Sequence, residues 1–317
     1  MLTGLTPATA RVLLVFSFMI RNIFHFTIFL FFSCFLISCE KDITIQLDPS
    51  STELVVDASI ENGKYPTVSL SRSLAYFDTL SAAVLSNSFV HGARVLISNG
   101  SITAQLQEYT VKDDSTGLQL YYYSLRDSNS GPKFKGEFNT AYSLEIDVDS
   151  QVYKATTTIP GLNKYIDSLW WVPAPLAADT PLVNVKARLV DPPGLGNYTR
   201  YYTEVDNDRF YPGLNSVFDD QITDGTVYTV TVDRGVNRNQ SIDINNYSFF
   251  NRGDSVTVKL ANIDKATFDF WRTMEYNYQS IGNPFSSPTV VLSNVSNNAL
   301  GYFGGYAAQY ISVKIPK

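Results

Sequence analysis

Short runs of alternating apolar and polar residues, joined by residues that suit tight turns, constrain the fold of this chain more than any other feature. One run covers residues 54–60, a turn at 61–64 contains Asn62-Gly63, and a second run covers 68–71. Asparagine and glycine tolerate the positive φ angles that tight hairpin turns require. The pattern therefore predicts a β-hairpin.

The same pattern occurs twice more in the first half of the chain. Its further copies are 93–98 with 102–106 around Asn99-Gly100, and 142–148 with 152–158 around Asp149-Ser150. Turn signals spaced by about 8 to 12 residues are typical of β-sandwiches and barrels. We predict a mostly β protein that begins with an Ig-like β-sandwich.

Prolines mark the expected end of this sandwich, since proline removes a donor from the strand ladder and fixes φ. Pro160 precedes Gly161, and Pro173 and Pro175 follow. We place a boundary near residue 165, between an N-terminal β-sandwich at 53–165 and a second β-rich domain at 166–317. The strand-like runs of the second domain are 182–190, 200–205, 227–232 and 256–260.

Residues 264–279 predict one short helix in the second domain. Phe268, Trp271, Glu275 and other large side chains recur there at spacings of three and four, as on one helix face. We expect Asp264 to cap the first turn by accepting from free backbone N–H groups. Ile263 is expected to pack against Phe268 as a hydrophobic staple.

The first 38 residues have the charge layout of a signal peptide. Arg21 precedes an apolar segment that is shorter than the about 20 residues of a membrane-spanning helix. The segment ends in the lipobox Leu36-Ile37-Ser38-Cys39. We predict cleavage before Cys39 and attachment of lipid, including palmitate, to that residue, followed by a polar tether up to residue 52. An uncleaved signal anchor remains an alternative, and Met19 is an alternative start.

The net charge and the lack of free cysteine residues exclude several classes of function. The leader holds two of the 24 Lys and Arg residues and none of the 30 acids, so the remaining chain carries a net charge of −8. The sequence has no cluster of Lys and Arg residues, so nucleic acid is excluded as a partner. Cys34 is lost with the leader and Cys39 is used by the lipid, so no thiol remains for a disulfide, a zinc site or nucleophilic catalysis.

Histidine and the acidic clusters are the candidates for catalytic or metal-binding groups. His91 is the only histidine after the leader, and a loop role is favoured over a catalytic one. Asp113 with Asp114 suits a hairpin turn in which Gly117 adopts a left-handed conformation. Turn roles are likewise favoured over a two-carboxylate hydrolase or a calcium site for Asp206, Asp208, Asp219, Asp220 and Asp224. We predict no cofactor and no metal.

Aromatic residues are abundant, with 20 Tyr and 20 Phe. In adjacent pairs such as Trp170-Trp171, strand alternation sends one ring to each face. The segment 301–306 combines glycines with Tyr302, Phe303 and Tyr306, and we predict these three aromatics as a partner contact. A bulged or closely packed strand is favoured about two to one over that interpretation.

The chain resembles the Bacteroidota lipoproteins of the domain-of-unknown-function family 4249 over nearly its whole length after the leader. The motif order that carries the resemblance is CEKD at 39–42, LVVDASI at 54–60, VSLSRS at 68–73, GARV at 92–95, IDSL at 166–169, DPPG at 191–194, NY at 197–198, GNPF at 282–285, SN at 293–294 and LGYFGGY at 300–306. One departure is Asn139, where the family pattern has glycine and where asparagine also tolerates a left-handed conformation.

The resemblance implies no established activity and no catalytic residues. It implies that the gene lies beside genes for TonB-dependent outer-membrane transporters. Glu40, Lys41 and Asp42 are similar to the surface-export signal of some lipoproteins of that phylum. We therefore predict a non-enzymatic outer-membrane lipoprotein facing the cell surface, an accessory binding or scaffold component of a transporter for a peptide, glycan or other nutrient. The alternative is a secreted two-carboxylate glycoside hydrolase or a carbohydrate-binding surface protein.

Overall fold

The computed structural model describes residues 52–74, 81–113, 117–126, 134–175, 181–283, 285–287 and 289–317. The leader, the lipidation residue Cys39 and the export signal Glu40, Lys41 and Asp42 lie outside these described residues. Within them, no helix has the length and apolarity needed to cross a bilayer.

The fold is mostly β, as the alternating runs predict. The described residues form fifteen strands and two helices. The strands are β1 (Leu54–Glu61), β2 (Thr67–Arg72), β3 (Arg94–Ser98), β4 (Thr103–Lys112), β5 (Gln119–Ser124), β6 (Thr140–Val148), β7 (Gln151–Ile159), β8 (Tyr165–Pro173), β9 (Leu182–Val190), β10 (Tyr198–Val205), β11 (Tyr211–Phe218), β12 (Val227–Val232), β13 (Phe250–Asn251), β14 (Ser255–Ile263) and β15 (Leu300–Lys314), and the helices are α1 (Ala82–Ser88) and α2 (Lys265–Ser280).

The three predicted hairpins are confirmed. Strands β1 and β2, β3 and β4, and β6 and β7 pair antiparallel in the expected order. The turn residues adopt the positive φ that their chemistry allows, at +75° for Gly63, +86° for Gly100, +52° for Asp149 and +61° for Ser150. Asn139 also has a positive φ, of 56°, the left-handed conformation that asparagine tolerates.

Eleven strands form one sheet, in the order β11-β10-β14-β15-β1-β2-β5-β4-β3-β6-β7. A second sheet has the order β12-β9-β13, with β8 also paired to β9. The first sheet folds over into two layers, so that β7 lies against β15: Ala155 bridges to Val295, and the Gly305 N–H donates to Thr157 Oγ1 at 2.7 Å. Apolar side chains of both layers, among them Val56, Ile97 and Phe303, share one core. The N-terminal part is thus sandwich-like.

The boundary expected near residue 165 does not separate two independent sheets. The chain does pass to the second sheet with β8, but it returns to the first sheet with β10, β11, β14 and β15. Strand β15 pairs parallel with β1, with Val56 opposite Gly301. Residues 51–317 form one compact unit. The expected division is corrected because β15 pairs with β14 on one side and with β1 of the N-terminal half on the other, which joins both halves in one sheet.

Strand β15 places side chains in three cores. Phe303 lies in the core of the folded sheet, Ile311 packs against a second core under the smaller sheet, and Tyr306 lies in a third core under α2. Tyr302, Phe303 and Tyr306 are only 6%, 0% and 4% exposed. The partner contact expected of these three aromatics is therefore corrected, since alternation along a strand covered on both faces buries every one of them.

Helix α2 begins at Lys265, as predicted, and Asp264 is its N-cap. Its Oδ1 accepts from the Thr267 N–H at 2.8 Å, while Oδ2 accepts from Thr157 Oγ1 at 2.7 Å and from the Thr158 N–H at 2.9 Å. One carboxylate thus caps the helix and fastens it to β7. Helix α1 was not predicted, and its side chains are not buried.

Asp264→Ala is expected to lower the free energy of unfolding by about 2 to 3 kcal/mol, because both the cap and the tie to β7 are lost. Urea unfolding followed by circular dichroism measures the change. The matched control is Asp269→Ala, which removes the ion pairs with Lys265 and Arg272 on the same helix and should cost no more than about 1 kcal/mol. Equal losses in the two variants would contradict the capping role.

Candidate functional site

Most acidic residues that the sequence offered as catalytic or metal-binding candidates hold turns together. Gly117 has a φ of +70° and its N–H donates to the Asp113 carbonyl at 2.7 Å, as expected for the β4–β5 turn. Asp206 Oδ1 accepts from the Ser255 N–H at 2.9 Å. Asp220 accepts from the Gly196 and Asn197 N–H groups at 3.1 and 2.9 Å. These carboxylates therefore stabilise loops.

The described residues do not bring the acids into one cleft with histidine. His91 is at the surface, where its Nδ1 lies 2.5 Å from Glu108 Oε1. Burial raises the pKa of Glu108, but the hydrogen bonds from His91 and Gly92 outweigh that effect and lower it. In the described part of the chain, no group of three or more His, Cys, Asp and Glu side chains has the arrangement of a metal site.

Adjacent aromatics divide between the faces of their strands, as predicted. Trp170 is 36% exposed, whereas Trp171 packs against the core of the smaller sheet. Arg252 lies over Trp171, with 5.3 Å between the guanidinium carbon and the ring centre. Trp170 and Trp171 do not share a surface, so they form no joint stacking platform.

A cavity of about 340 Å³ lies where α2 crosses β10, β11 and β15. No local sequence pattern identifies this cavity. Arg200 and Tyr202 reach it from one face of β10, and Trp271 and Glu275, four residues apart on α2, cover it from the helix side. The lining residues are Arg200, Tyr202, Pro212, Arg238, Trp271, Met274, Glu275, Tyr278 and Tyr302.

Arg200 is the central feature of this cavity. The residue is 3% exposed, and its guanidinium carbon lies 3.4 Å from the Trp271 ring centre and 4.8 Å from that of Tyr202. Its Nε donates to Ser216 Oγ at 3.1 Å. Among the described residues, no carboxylate oxygen lies within the 4.0 Å of an ion pair with it. Because arginine stays protonated in proteins, a buried positive charge lines the cavity without a directly paired anion.

The acid on the cavity wall, Glu275, is already engaged. Both of its oxygens accept from Ser216, one from the backbone N–H at 3.0 Å and the other from the hydroxyl. Its charge raises the pKa of Arg200 without an ion-pair contact between the two side chains. Arg238 is the second cation of the lining. It donates to the Leu214 carbonyl at 3.0 Å and lies over Tyr278, 4.8 Å from the ring centre.

Hydroxyl groups extend inward from the cavity along the sheet face. Trp271 Nε1 donates to the Tyr306 hydroxyl at 3.0 Å, which in turn donates to the Tyr302 hydroxyl at 3.2 Å. Asp57 lies opposite Tyr302 where β1 pairs with β15. The Asp57 side chain is exposed, yet partial desolvation by the surrounding groups raises the pKa of its carboxyl, opposed by Tyr302 and the Arg200 charge.

The neighbouring charge cluster on the same sheet face is paired, which sets Arg200 apart. Lys259 Nζ lies 2.5 Å from Glu61 Oε2, and Lys64 Nζ lies 2.8 Å from Glu61 Oε1. Burial lowers the pKa of Lys259 even though Glu61 opposes this shift. Burial, together with the hydrogen bond to Glu61, raises the pKa of Tyr310 to about 12. In this cluster the two lysines share the Glu61 carboxylate, one at each oxygen.

A wider depression of about 590 Å³ lies beside the start of α2, but it is lined mainly by small polar residues such as Asn99, Ser143 and Thr156. Its acid, Asp264, caps the helix and ties it to β7. Concave sites with aromatic walls and a few convergent polar groups are the usual form of small-molecule sites. The cavity at Arg200 has that form and the wider depression does not.

The fold and the cavity define a mostly β protein of sandwich-like architecture, with a small-molecule-sized cleft between a sheet and its covering helix. The chain belongs to the family described as a domain of unknown function (DUF4249), whose sequence profile matches residues 40–311. The family resemblance expected from the sequence is confirmed. No match was found among curated proteins.

Proposed function

We propose that the protein is a non-enzymatic, lipid-anchored binding protein of the outer membrane, facing the cell surface, that serves a TonB-dependent transporter as an accessory component. The observation that carries the binding role is the aromatic cavity around Arg200. The lipobox ending at Cys39 supports the anchor, and Glu40, Lys41 and Asp42 support surface display. The ligand is a small nutrient or part of a peptide or glycan.

Binding is favoured over catalysis by the state of the acids around the cavity. A two-carboxylate hydrolase needs one acid free to donate a proton and a second free to attack or activate water, about 5 to 10 Å apart. Glu275 instead accepts two hydrogen bonds from Ser216. A carboxylate held in this way positions Ser216 and, through it, the Arg200 guanidinium.

The anchor and the partner can be tested together in native membranes. Tagged full-length protein is labelled with a palmitate analogue, solubilised in mild detergent and captured, and co-purifying proteins are identified by mass spectrometry. We expect Cys39→Ala to lose both the label and the transporter, because one site carries all the lipid. Cys34→Ala, the matched control inside the leader, should keep both.

Two results of this experiment would contradict the proposal. A wild-type protein without lipid on Cys39 would disprove the anchor. A lipidated wild-type protein that captures no TonB-dependent transporter would disprove the accessory role while leaving the anchor intact. Turnover of a glycan that is abolished by Glu275→Gln would replace binding by hydrolysis.

A further inference from the structure

We propose that the cavity binds the carboxylate of a small ring-bearing organic acid, with the Arg200 guanidinium as its counter-ion. This inference rests on the proposed binding function, because it names the chemical class of the ligand. It is carried by a contrast within one sheet face: Lys259 and Lys64 have Glu61 as a partner, whereas Arg200 is more deeply buried and has no such partner among the described residues.

Removing a guanidinium from water is unfavourable unless an anion or several hydrogen bonds replace the lost hydration. Trp271 and Tyr202 supply part of the compensation by cation–π contact. Ser216 occupies the Nε hydrogen. The remaining donors belong to the two terminal nitrogens, which form the edge that fits a carboxylate in a bidentate manner.

The cavity is the route by which a ligand reaches these donors, since Arg200 is 3% exposed and yet lines the cavity wall. Contact with the Trp271 ring at 3.4 Å covers the guanidinium face rather than its edge. The flat side of the group is therefore held by protein, and its donors are directed to an in-plane acceptor. An arginine stacked in this way is preorganised, so little conformational entropy is lost on binding.

Charge selects a singly charged carboxylate over a doubly charged phosphate. The charged residues of the lining are Arg200, Arg238 and Glu275, which sum to one net positive charge, and the nearby Asp57 carboxyl can only make this sum less positive. A monoanion neutralises that excess. A dianion would leave a net negative charge beside Glu275 in a partly desolvated site, where like charges repel strongly.

The rest of the lining indicates the body of the ligand. Tyr202, Tyr278, Pro212 and Met274 offer ring faces and apolar surface. Flat rings pack favourably against aromatic side chains. A volume of about 340 Å³ lies at the lower end of the range for small-molecule sites. The site thus suits a compact acid with one ring rather than a long chain.

Benzoate, with its neutral analogue benzamide, tests the inference directly. Equilibrium dialysis of each radiolabelled compound against the detergent-solubilised full-length protein, with empty micelles as blank, gives the two affinities. We expect saturable benzoate binding that is about tenfold or more tighter than that of benzamide, because benzamide lacks the charge that completes the pair with Arg200. Inorganic phosphate should compete poorly.

Variants locate the binding. Arg200→Gln should lower benzoate affinity at least about tenfold, and Arg200→Lys, which keeps the charge but not the planar fork, should give an intermediate loss. Arg252→Gln is the matched control, because Arg252 also stacks on a tryptophan but lies outside the cavity. Its affinity should equal that of the wild type. Circular dichroism and thermal unfolding establish that each variant is folded.

Several outcomes overturn the inference. If benzoate does not bind the folded wild type saturably, a carboxylate site of this kind is absent. Equal affinity for benzoate and benzamide, or tighter binding of phosphate, would show that the ligand class is wrong. In each of these cases the transporter capture described above still reports separately on the proposed function. Benzoate binding that Arg252→Gln weakens as much as Arg200→Gln would place the site elsewhere.

Discussion

Replacing Gly301 with alanine is expected to destabilise the protein by about 4 kcal/mol or more, which is among the largest effects of a single substitution. A Cβ atom at this position would lie 1.9 Å from the Val56 carbonyl oxygen, and the backbone φ is +95°. The obstructing atom is backbone in the paired strand β1, so it cannot rotate away. Relief of the clash requires β1 and β15 to separate, and their pairing joins the two ends of the described chain.

Gly100→Ala separates the two causes of this loss. Gly100 has a similar φ, of +86°, but a Cβ atom there would meet nothing within 4 Å. That variant should lose only the about 1 to 2 kcal/mol of left-handed backbone strain. Urea unfolding of both variants, followed by tryptophan fluorescence and circular dichroism, gives the comparison. Similar losses at Gly100 and Gly301 would show that close strand packing is not what position 301 requires.

The sequence allowed the hairpins to be predicted because their determinants are local. Asn62-Gly63, Asn99-Gly100 and Asp149-Ser150 set the turn, and alternation on either side sets which side chains are buried. The same holds for α2, where Asp264 begins the helix as its side chain requires. Turns and helix caps depend only on residues within a few positions of one another in the sequence.

Strand β15 could not be predicted in the same way. Its partner on one side, β1, comes from the opposite end of the described chain, and no local pattern specifies a parallel pair. Its glycines are needed because other backbones approach closely: a Cβ atom on Gly305 would lie 2.5 Å from the Thr158 carbonyl oxygen. Tyr302 and Tyr306 are buried because α2 covers that face of the strand. This packing is tertiary structure, which the local sequence does not specify.

The cavity could be anticipated only in part. Alternation along β10 predicts that Arg200 and Tyr202 share a face, and helical spacing predicts that Trp271 and Glu275 share another. No local sequence pattern predicts that these two faces pack against each other. The signal that was available is Arg200 itself, a charged residue inside an aromatic stretch of a strand. Such a residue either pairs, reaches solvent or binds a ligand.

The second large effect is expected at the buried ion pair of Lys164 and Asp191. Their side chains are 2% and 0% exposed, with 2.8 Å between Nζ and Oδ2. Thr223 Oγ1 accepts from Lys164 at 3.1 Å and donates to Asp191 at 2.8 Å. Asp191→Ala should lower the free energy of unfolding by about 3 to 5 kcal/mol, because it leaves a buried ammonium without its anion. The double variant Lys164→Met with Asp191→Leu should be close to wild type in stability, since neither charge is then buried.

The stability of the wild type and that of Asp191→Ala should respond in opposite directions to alkaline pH. Burial lowers the pKa of Lys164, but the hydrogen bond and charge of Asp191, with Tyr228, outweigh it and raise the pKa above the ordinary value of 10.5. A raised folded-state pKa contributes stability that is fully present below 10.5 and is lost as the pH rises through the folded pKa. In Asp191→Ala the largest effect, burial, remains and is opposed only by Tyr228, so the pKa of Lys164 should fall below 10.5 and stability should rise as the pH approaches that value from neutrality. Urea midpoints measured across this range, each referred to the double variant to cancel the titration of other groups, give the two slopes. Slopes of the same sign would mean that Asp191 does not hold the charge of Lys164.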